Sequence, residues 1–342
     1  MARRSGCCYR HRHRRVGCSN PLDAPLVDDK GEQVPAHAEN TATVTDTEEL
    51  KALNAELAAS LDGGFTSEYA EVNGVRLHYV TGGQGDPLVL LPGWPETWWE
   101  YRKVMPALAA RFRVITVDIR GMGGSSKPES GFEKKSMAQD IRELVRHLGY
   151  EKVNIAGHGI GAMVAFAYAA NHPEATEKVA ILNTTHADQS YYKFPMLPNP
   201  GDKGPHRWWL AFNQVADFPE QILTGRYRHI IDYMFGLSLV NPDNITDRDR
   251  DIYAKAYSSA EAIRASKGWF QSYQQDIADF ESYDKISVPM LGLAYGTFFE
   301  YMSQVFPQQG TDVRMAEIEG SRNYLVEEQP EAVTRALLEF FG

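Results

Sequence analysis

The stretch Ala156–Met163, AGHGIGAM, joins one apolar run, KVNI, to a longer one, VAFAYAANHP. Strand, glycine-rich turn and helix is the layout that presents one residue at the tip of a sharp elbow. The tip here is Gly159, which carries no side chain. Such an elbow needs a parallel sheet behind it, and the surrounding pattern supplies one. PLVLLPG (87–93), RVITVDI (113–119), KVNIAG (152–157) and KVAILNTT (178–185) read as buried strands. They alternate with helical segments at 97–110 and 136–149, and with the helix that follows the elbow. Upstream, Asn73-Gly74 between two alternating runs predicts a tight hairpin. DTEELKALNAELAASL (46–61) predicts a helix capped by Asp46 or Thr47.

From 187 to 284 the alternation stops, and the chain turns aromatic and helical, with no strand pattern. VPMLGLAYG (288–296) and DVRMAEIEG (312–320) resume the strands, and PEAVTRALLEFF (330–341) ends the chain as a helix. The expected architecture is therefore an α/β core over 46–186 and 285–342 with helices on both faces of a mostly parallel sheet. A helical lid over 187–284 interrupts it, and a disordered or mis-started leader (1–45) precedes it.

Composition narrows the function classes. With 342 residues, 43% of them hydrophobic, the chain suffices for one large α/β domain. A formal net charge of -10 argues against nucleic-acid binding, which calls for a basic face. No window approaches the ~18 consecutive apolar residues of a membrane span. All three cysteines, Cys7, Cys8 and Cys18, lie in the arginine-rich leader, so the body has no disulfide framework. Their spacing with His11 and His13 matches no familiar zinc finger, so no metal is expected. The leader also lacks the apolar stretch of a secretory signal, and a cytoplasmic location is expected.

The elbow satisfies two signatures. As Gly157-x-Gly159-x-x-Ala162 it matches a dinucleotide fingerprint, which calls for an acid about twenty residues on. The next strand offers Asn183 instead, and such fingerprints normally open the first βαβ unit. No cofactor is therefore expected. As Gly-x-nucleophile-x-Gly the surroundings fit better. LLPGWPETWWEYRKVMPALA, VITVDIRGMGGSSKP, the elbow, RWWLAFNQV with FPEQILTGR, and EEQPEAVTRALLEFF fall in order along the chain. From about Phe65 to Phe341 the sequence resembles the epoxide hydrolase and haloacid/haloalkane dehalogenase branch of the α/β-hydrolase superfamily.

That resemblance implies an α/β-hydrolase fold and covalent catalysis. An elbow aspartate forms an ester, and a histidine after the last strand, oriented by an acid, activates the water that releases it. Carried onto this chain, the nucleophile position is Gly159. The base position, in Gly320-Ser321-Arg322-Asn323-Tyr324, is Asn323, which cannot take a proton at neutral pH. The acid loop, Gly296-Thr297-Phe298-Phe299, has no carboxylate before Glu300. The resemblance implies an oxyanion hole from the backbone N–H groups of Trp94 and Ile160. It also implies lid tyrosines near Ile230 and Trp269-Phe270, with Tyr233 or Tyr273 as substitutes. His158, Phe212, Trp269, Phe270 and Tyr273 are the expected pocket and lid residues.

Candidates for a replacement chemistry are Glu96, His186 and Arg322. Each has a plain alternative: a charge near a helix start, a loop histidine and a solvated arginine. Asp118 and Arg120 read as a structural turn. The first expectation is non-hydrolytic chemistry on a small, largely apolar organic ligand, such as cyclisation, isomerisation, elimination or epoxide opening by an internal nucleophile. A non-catalytic binding or scaffold protein is the alternative, and an unconventional hydrolase the third. No nucleic-acid or membrane partner is expected, and a homodimer is left open. A closed apolar pocket on which Glu96, His186 or Arg322 converge would favour the enzyme; a collapsed pocket would favour the scaffold.

Overall fold

Eight segments pair into one sheet: β1 (Thr66–Val72), β2 (Val75–Gly82), β3 (Asp86–Leu91), β4 (Phe112–Asp118), β5 (Val153–His158), β6 (Thr176–Leu182), β7 (Met290–Ala294) and β8 (Val313–Glu317). In the computed structural model their order is β1-β2-β4-β3-β5-β6-β7-β8. The structure describes residues 43–195, 197, 200–201 and 207–342, and Thr45–Gly342 form one compact unit. Most of the leader, with Cys7, Cys8, His11, His13 and Cys18, lies outside the described residues.

β1 and β2 form the predicted hairpin, with Val72 opposite Val75. Asn73 and Gly74 take φ of 48° and 75°, the pair of positive values that a two-residue hairpin turn requires. From β4 through β8 every pairing is parallel. Parallel strands need helical crossovers that cover both faces, which is why their sequences are apolar runs rather than alternations. Leu88–Leu91 of β3 and Val179–Leu182 of β6 are accordingly fully buried.

Three boundaries differ from the sequence reading. The first helix runs Thr43–Ala59, so Asp46 and Thr47 lie inside it rather than at its cap. The segment 97–110 is not one helix but a 3₁₀ turn, Trp98–Lys103, followed by a short helix, Met105–Ala109. Pro106 explains the break: lacking an N–H, it sits in a first helical turn and not in an interior. A helix Gly296–Gln309 between β7 and β8 had no readable helical signature, and it contains Pro307. Between β6 and β7 the elements are helices and 3₁₀ turns, with no strand among the described residues. No helix among them is long and apolar enough to cross a membrane.

The elbow joins β5 to the helix Ile160–Asn171, whose residues Ile160–Ala169 are all buried. Gly159 has φ 54° and ψ -123°, in the positive-φ region that strains any residue with a Cβ. The flanking glycines meet a harder limit. A Cβ on Gly157 would lie 2.3 Å from the Gly161 carbonyl oxygen, and one on Gly161 would lie 2.2 Å from that of Leu91. The helix therefore begins in contact with the backbones of β5 and β3. Gly161→Ala is expected to cost about 3 kcal/mol, because backbone must move. Gly159→Ala meets nothing closer than 3.4 Å and is expected to cost less, about 1–2 kcal/mol of backbone strain. Urea unfolding of the two variants checks the ranking.

Candidate functional site

Gly159 lies at the carboxyl end of β5 on the floor of a cavity of about 1110 Å³. Loops that follow the strands form one side of it: Trp94 after β3, Asn183 to Thr185 after β6, and Arg322 to Tyr324 after β8. The helical segment closes the other side through residues such as Tyr191, Trp209, Met234 and Phe270. Ligands bind beyond the carboxyl ends of parallel strands because the loops there diverge and leave a crevice.

The space that an elbow side chain would fill is open. A Cβ on Gly159 would have only Gly93 Cα at 3.4 Å and Trp94 N at 4.0 Å. The N–H of Ile160 opens the helix there, and the first N–H groups of a helix lack intrahelical partners. Both donors named from the sequence, Trp94 and Ile160, line the cavity.

Behind the elbow stands a buried charged cluster. His158, Glu96 and Glu100 are 2%, 0% and 1% exposed. His158 Nδ1 lies 3.0 Å from Glu100 Oε1 and 3.5 Å from Glu96 Oε2. Its Nε2 donates to the Asn323 carbonyl oxygen at 2.8 Å. Glu100 Oε2 accepts from the N–H of Gly93 at 2.8 Å, which ties the cluster to the loop that carries Trp94. Burial, then the Glu100 charge, pushes the Glu96 carboxyl well above the usual range. Burial alone would lower the His158 value, but Glu100 and Glu96 overcome it and hold the imidazole well above its ordinary value. The same three residues are the one set among the described residues whose ligand atoms, two carboxylate oxygens and a ring nitrogen, all lie within 4.8 Å of one another. Protonated His158 supplies there the positive charge that a cation would bring.

Asn323 is stapled in place. Its carbonyl oxygen also accepts from Asn183 Nδ2 at 3.1 Å, and its Oδ1 accepts from the same nitrogen at 3.0 Å. Asn183 holds a φ of 53°, a left-handed conformation that asparagine tolerates better than most residues.

The three candidate catalytic residues are not brought together. Arg322 lines the cavity, whereas Glu96 is sealed behind the elbow. His186 does not reach the cavity either: it is 1% exposed, stacks on Phe280 at 5.3 Å, and shares a contact of 3.1 Å with the Ala187 oxygen. Burial lowers its pKa to about 4, so it is a neutral packing residue. Among the expected pocket residues, His158, Phe270 and Tyr273 line the cavity. Trp269 does not; it is fully buried and donates from Nε1 to the Arg120 oxygen at 2.9 Å. Phe212 packs on Trp208 outside the cavity. Asp118 accepts from Trp98 N at 2.8 Å and faces His78 Nδ1 at 2.7 Å, while Arg120 pairs with Asp140, a structural turn as expected.

The sequence reading missed Glu100, Asn183 and Arg207. Glu100 follows Glu96 by four residues, a spacing that was legible; Asn183 and Arg207 reach the site only through the fold. Among the described lining residues there is no Asp, Glu or Lys.

A mostly parallel sheet, a strand–elbow–helix turn and a cavity over the strand ends define the α/β-hydrolase fold. A family model described as alpha/beta hydrolase fold matches residues 86–221. The chain is 32% identical over 292 residues to a soluble epoxide hydrolase of Corynebacterium sp. (strain C12), covering 81% of this chain and 97% of that one. It is 27% identical over 296 residues to a fluoroacetate dehalogenase of Burkholderia sp, covering 82% and 94%. The crystal structure of Cfl2 from Burkholderia cenocepacia superposes with a TM-score of 0.75 at 30% identity, over 82% of this chain and 96% of that one. The chain belongs to the α/β-hydrolase superfamily, with epoxide-hydrolase-like relatives.

The cluster makes a signed pH prediction. With a raised folded pKa, His158 contributes stability that is complete below its unfolded value of about 6.5 and is lost as pH rises through the folded value. Glu100→Gln removes its closest buried partner and is expected to cost about 3–5 kcal/mol at pH 6. That cost should shrink at alkaline pH. Denaturant midpoints across pH 6–10 measure it; a cost that does not vary with pH would overturn the assignment.

Proposed function

We propose that this chain holds a small organic molecule in its cavity without forming the elbow ester, and that the chemistry it performs there is non-hydrolytic. In this reading residues 46–186 and 285–342 are the core, and 187–284 is the lid over the ligand. The observation that carries it is the lining of the cavity around Gly159. The space is retained, but the tip has no side chain and no described lining residue is a carboxylate. The base position, Asn323, is an amide held by His158 and Asn183. His158 itself has both ring nitrogens turned to other partners. Losing a nucleophile or a base alone removes on the order of 10⁴–10⁶ of rate where such groups act as a unit.

What remains is a set of donors. Trp94 and Ile160 line the cavity beside the vacant elbow position, and in this reading their N–H groups stabilise a developing oxyanion there. Burial raises the pKa of Tyr273 well above its ordinary value, so it remains a neutral O–H donor. Such a site suits an isomerisation in which the ligand supplies its own nucleophile. A ligand hydroxyl oxygen attacks an epoxide carbon and the epoxide C–O bond breaks. The resulting alkoxide is held by these donors and receives the proton that the attacking hydroxyl gives up. Atoms and charge balance with no water consumed.

Binding without turnover is the second reading, favoured by the separation of Glu96, His186 and Arg322. Styrene oxide, a substrate without an internal nucleophile, tests the shared claim. The wild-type protein is expected to yield no diol above the buffer rate and no covalent adduct by intact-mass spectrometry. Gly159→Asp is expected to form at most a persistent adduct, because no base follows to release it. Sustained diol production by the wild-type chain would overturn the proposal.

A further inference from the structure

We propose that the cavity ligand is an organic carboxylate: an apolar body lodged towards the elbow, with its anionic head at the mouth between Arg207 and Arg322. This rests on the reading that the cavity holds a ligand, and it specifies the ligand's class.

Four observations carry it. The formal charges among the described lining residues are of one sign: Arg207 and Arg322 are present, and Asp and Glu are not. The chain as a whole carries a net charge of -10, so two cationic side chains with no carboxylate at this cavity stand against the overall balance. Secondly, neither guanidinium forms an ion pair with a carboxylate among the described residues. Arg322 reaches only the Leu237 oxygen, at 3.5 Å, and Arg207 lies over the Phe194 ring at 4.0 Å. Glu328, six residues on from Arg322, accepts from the backbone N–H groups of Arg322 and Val240.

Thirdly, both arginines act on one place. Burial raises the Tyr295 hydroxyl, the Arg322 and Arg207 charges each lower it, and the Glu328 charge adds a smaller rise. Tyr295 lines the same cavity and stands ready as a further donor. Fourthly, the formal charge sits at one end. The arginines are solvent-exposed, while the floor and inner wall carry Ile160, Met163, Trp94 and Phe270. An amphipathic acid whose head pairs with these arginines directs its body towards the elbow, because the forked guanidinium matches a planar carboxylate.

The test is equilibrium binding followed through the fluorescence of Trp94 and Trp209, both of which line the cavity. Three probes share one body: 4-phenylbutanoate, its methyl ester and 4-phenylbutan-1-ol, at pH 7.5. The acid is expected to bind about tenfold or more tighter than either neutral probe. Arg322→Gln and Arg207→Gln should each weaken the acid about fivefold while leaving the ester unchanged. Exposed charges are screened, so the preference should fall as salt rises from 20 mM to 500 mM. Equal affinities for acid and ester, or variants that weaken all three alike, overturn the inference and leave ligand binding intact. Failure of all three to bind also overturns it as stated, and the styrene oxide assay then judges the hydrolysis question separately. Circular dichroism of both variants guards against misfolding.

Discussion

The contact on which the rest of the site depends is the approach of the helix Ile160–Asn171 to the backbones of β3 and β5. Gly157 and Gly161 leave no room there for even one carbon each. Because the helix starts against the sheet, its first residue, Ile160, lines the cavity beside the elbow. Gly159 is then forced into a positive-φ turn whose outward side is the cavity floor.

A second constraint works from below. His158 is the last residue of β5, and its ring joins the Asn323 carbonyl on one side to Glu96 and Glu100 on the other. Glu100 in turn holds the Gly93 N–H. One buried cation thus connects the β5 elbow, the loop after β3 and the loop after β8, the three pieces that meet around the vacant position. Buried charge is costly unless paired, so these loops are held at definite positions. The site is preorganised by an ion cluster of which only His158 lines the cavity.

Much of the frame was legible in the sequence. Parallel strands announce themselves as apolar runs, and Asn73-Gly74 dictates its own turn, because both signals are local. The failures share a cause. The segment 97–110 carries a helical pattern but also Pro106, and a single missing N–H outweighed the pattern. The helix Gly296–Gln309 has aromatic residues and Pro307 where a clear amphipathic stripe would be needed. At the site, Glu96 reads from the sequence as a catalytic candidate, but burial decides its character: sealed behind the elbow, it belongs to an ion cluster and not to the cavity. His186 follows a strand as a catalytic loop residue would, yet Phe280, almost a hundred residues later, covers its ring.

By itself, the sequence determined the order of the strands and of most helices, the glycines that the elbow requires, and the residue types at its tip and in the last loop. Those are local properties, set by backbone sterics and by side-chain chemistry. Only the tertiary structure decided which polar groups share a space. It placed Glu100 beside His158, Asn183 beside Asn323, and Arg207 with Arg322 around one cavity. Charge interactions and burial depend on distance through the fold, and separation along the chain does not report that distance.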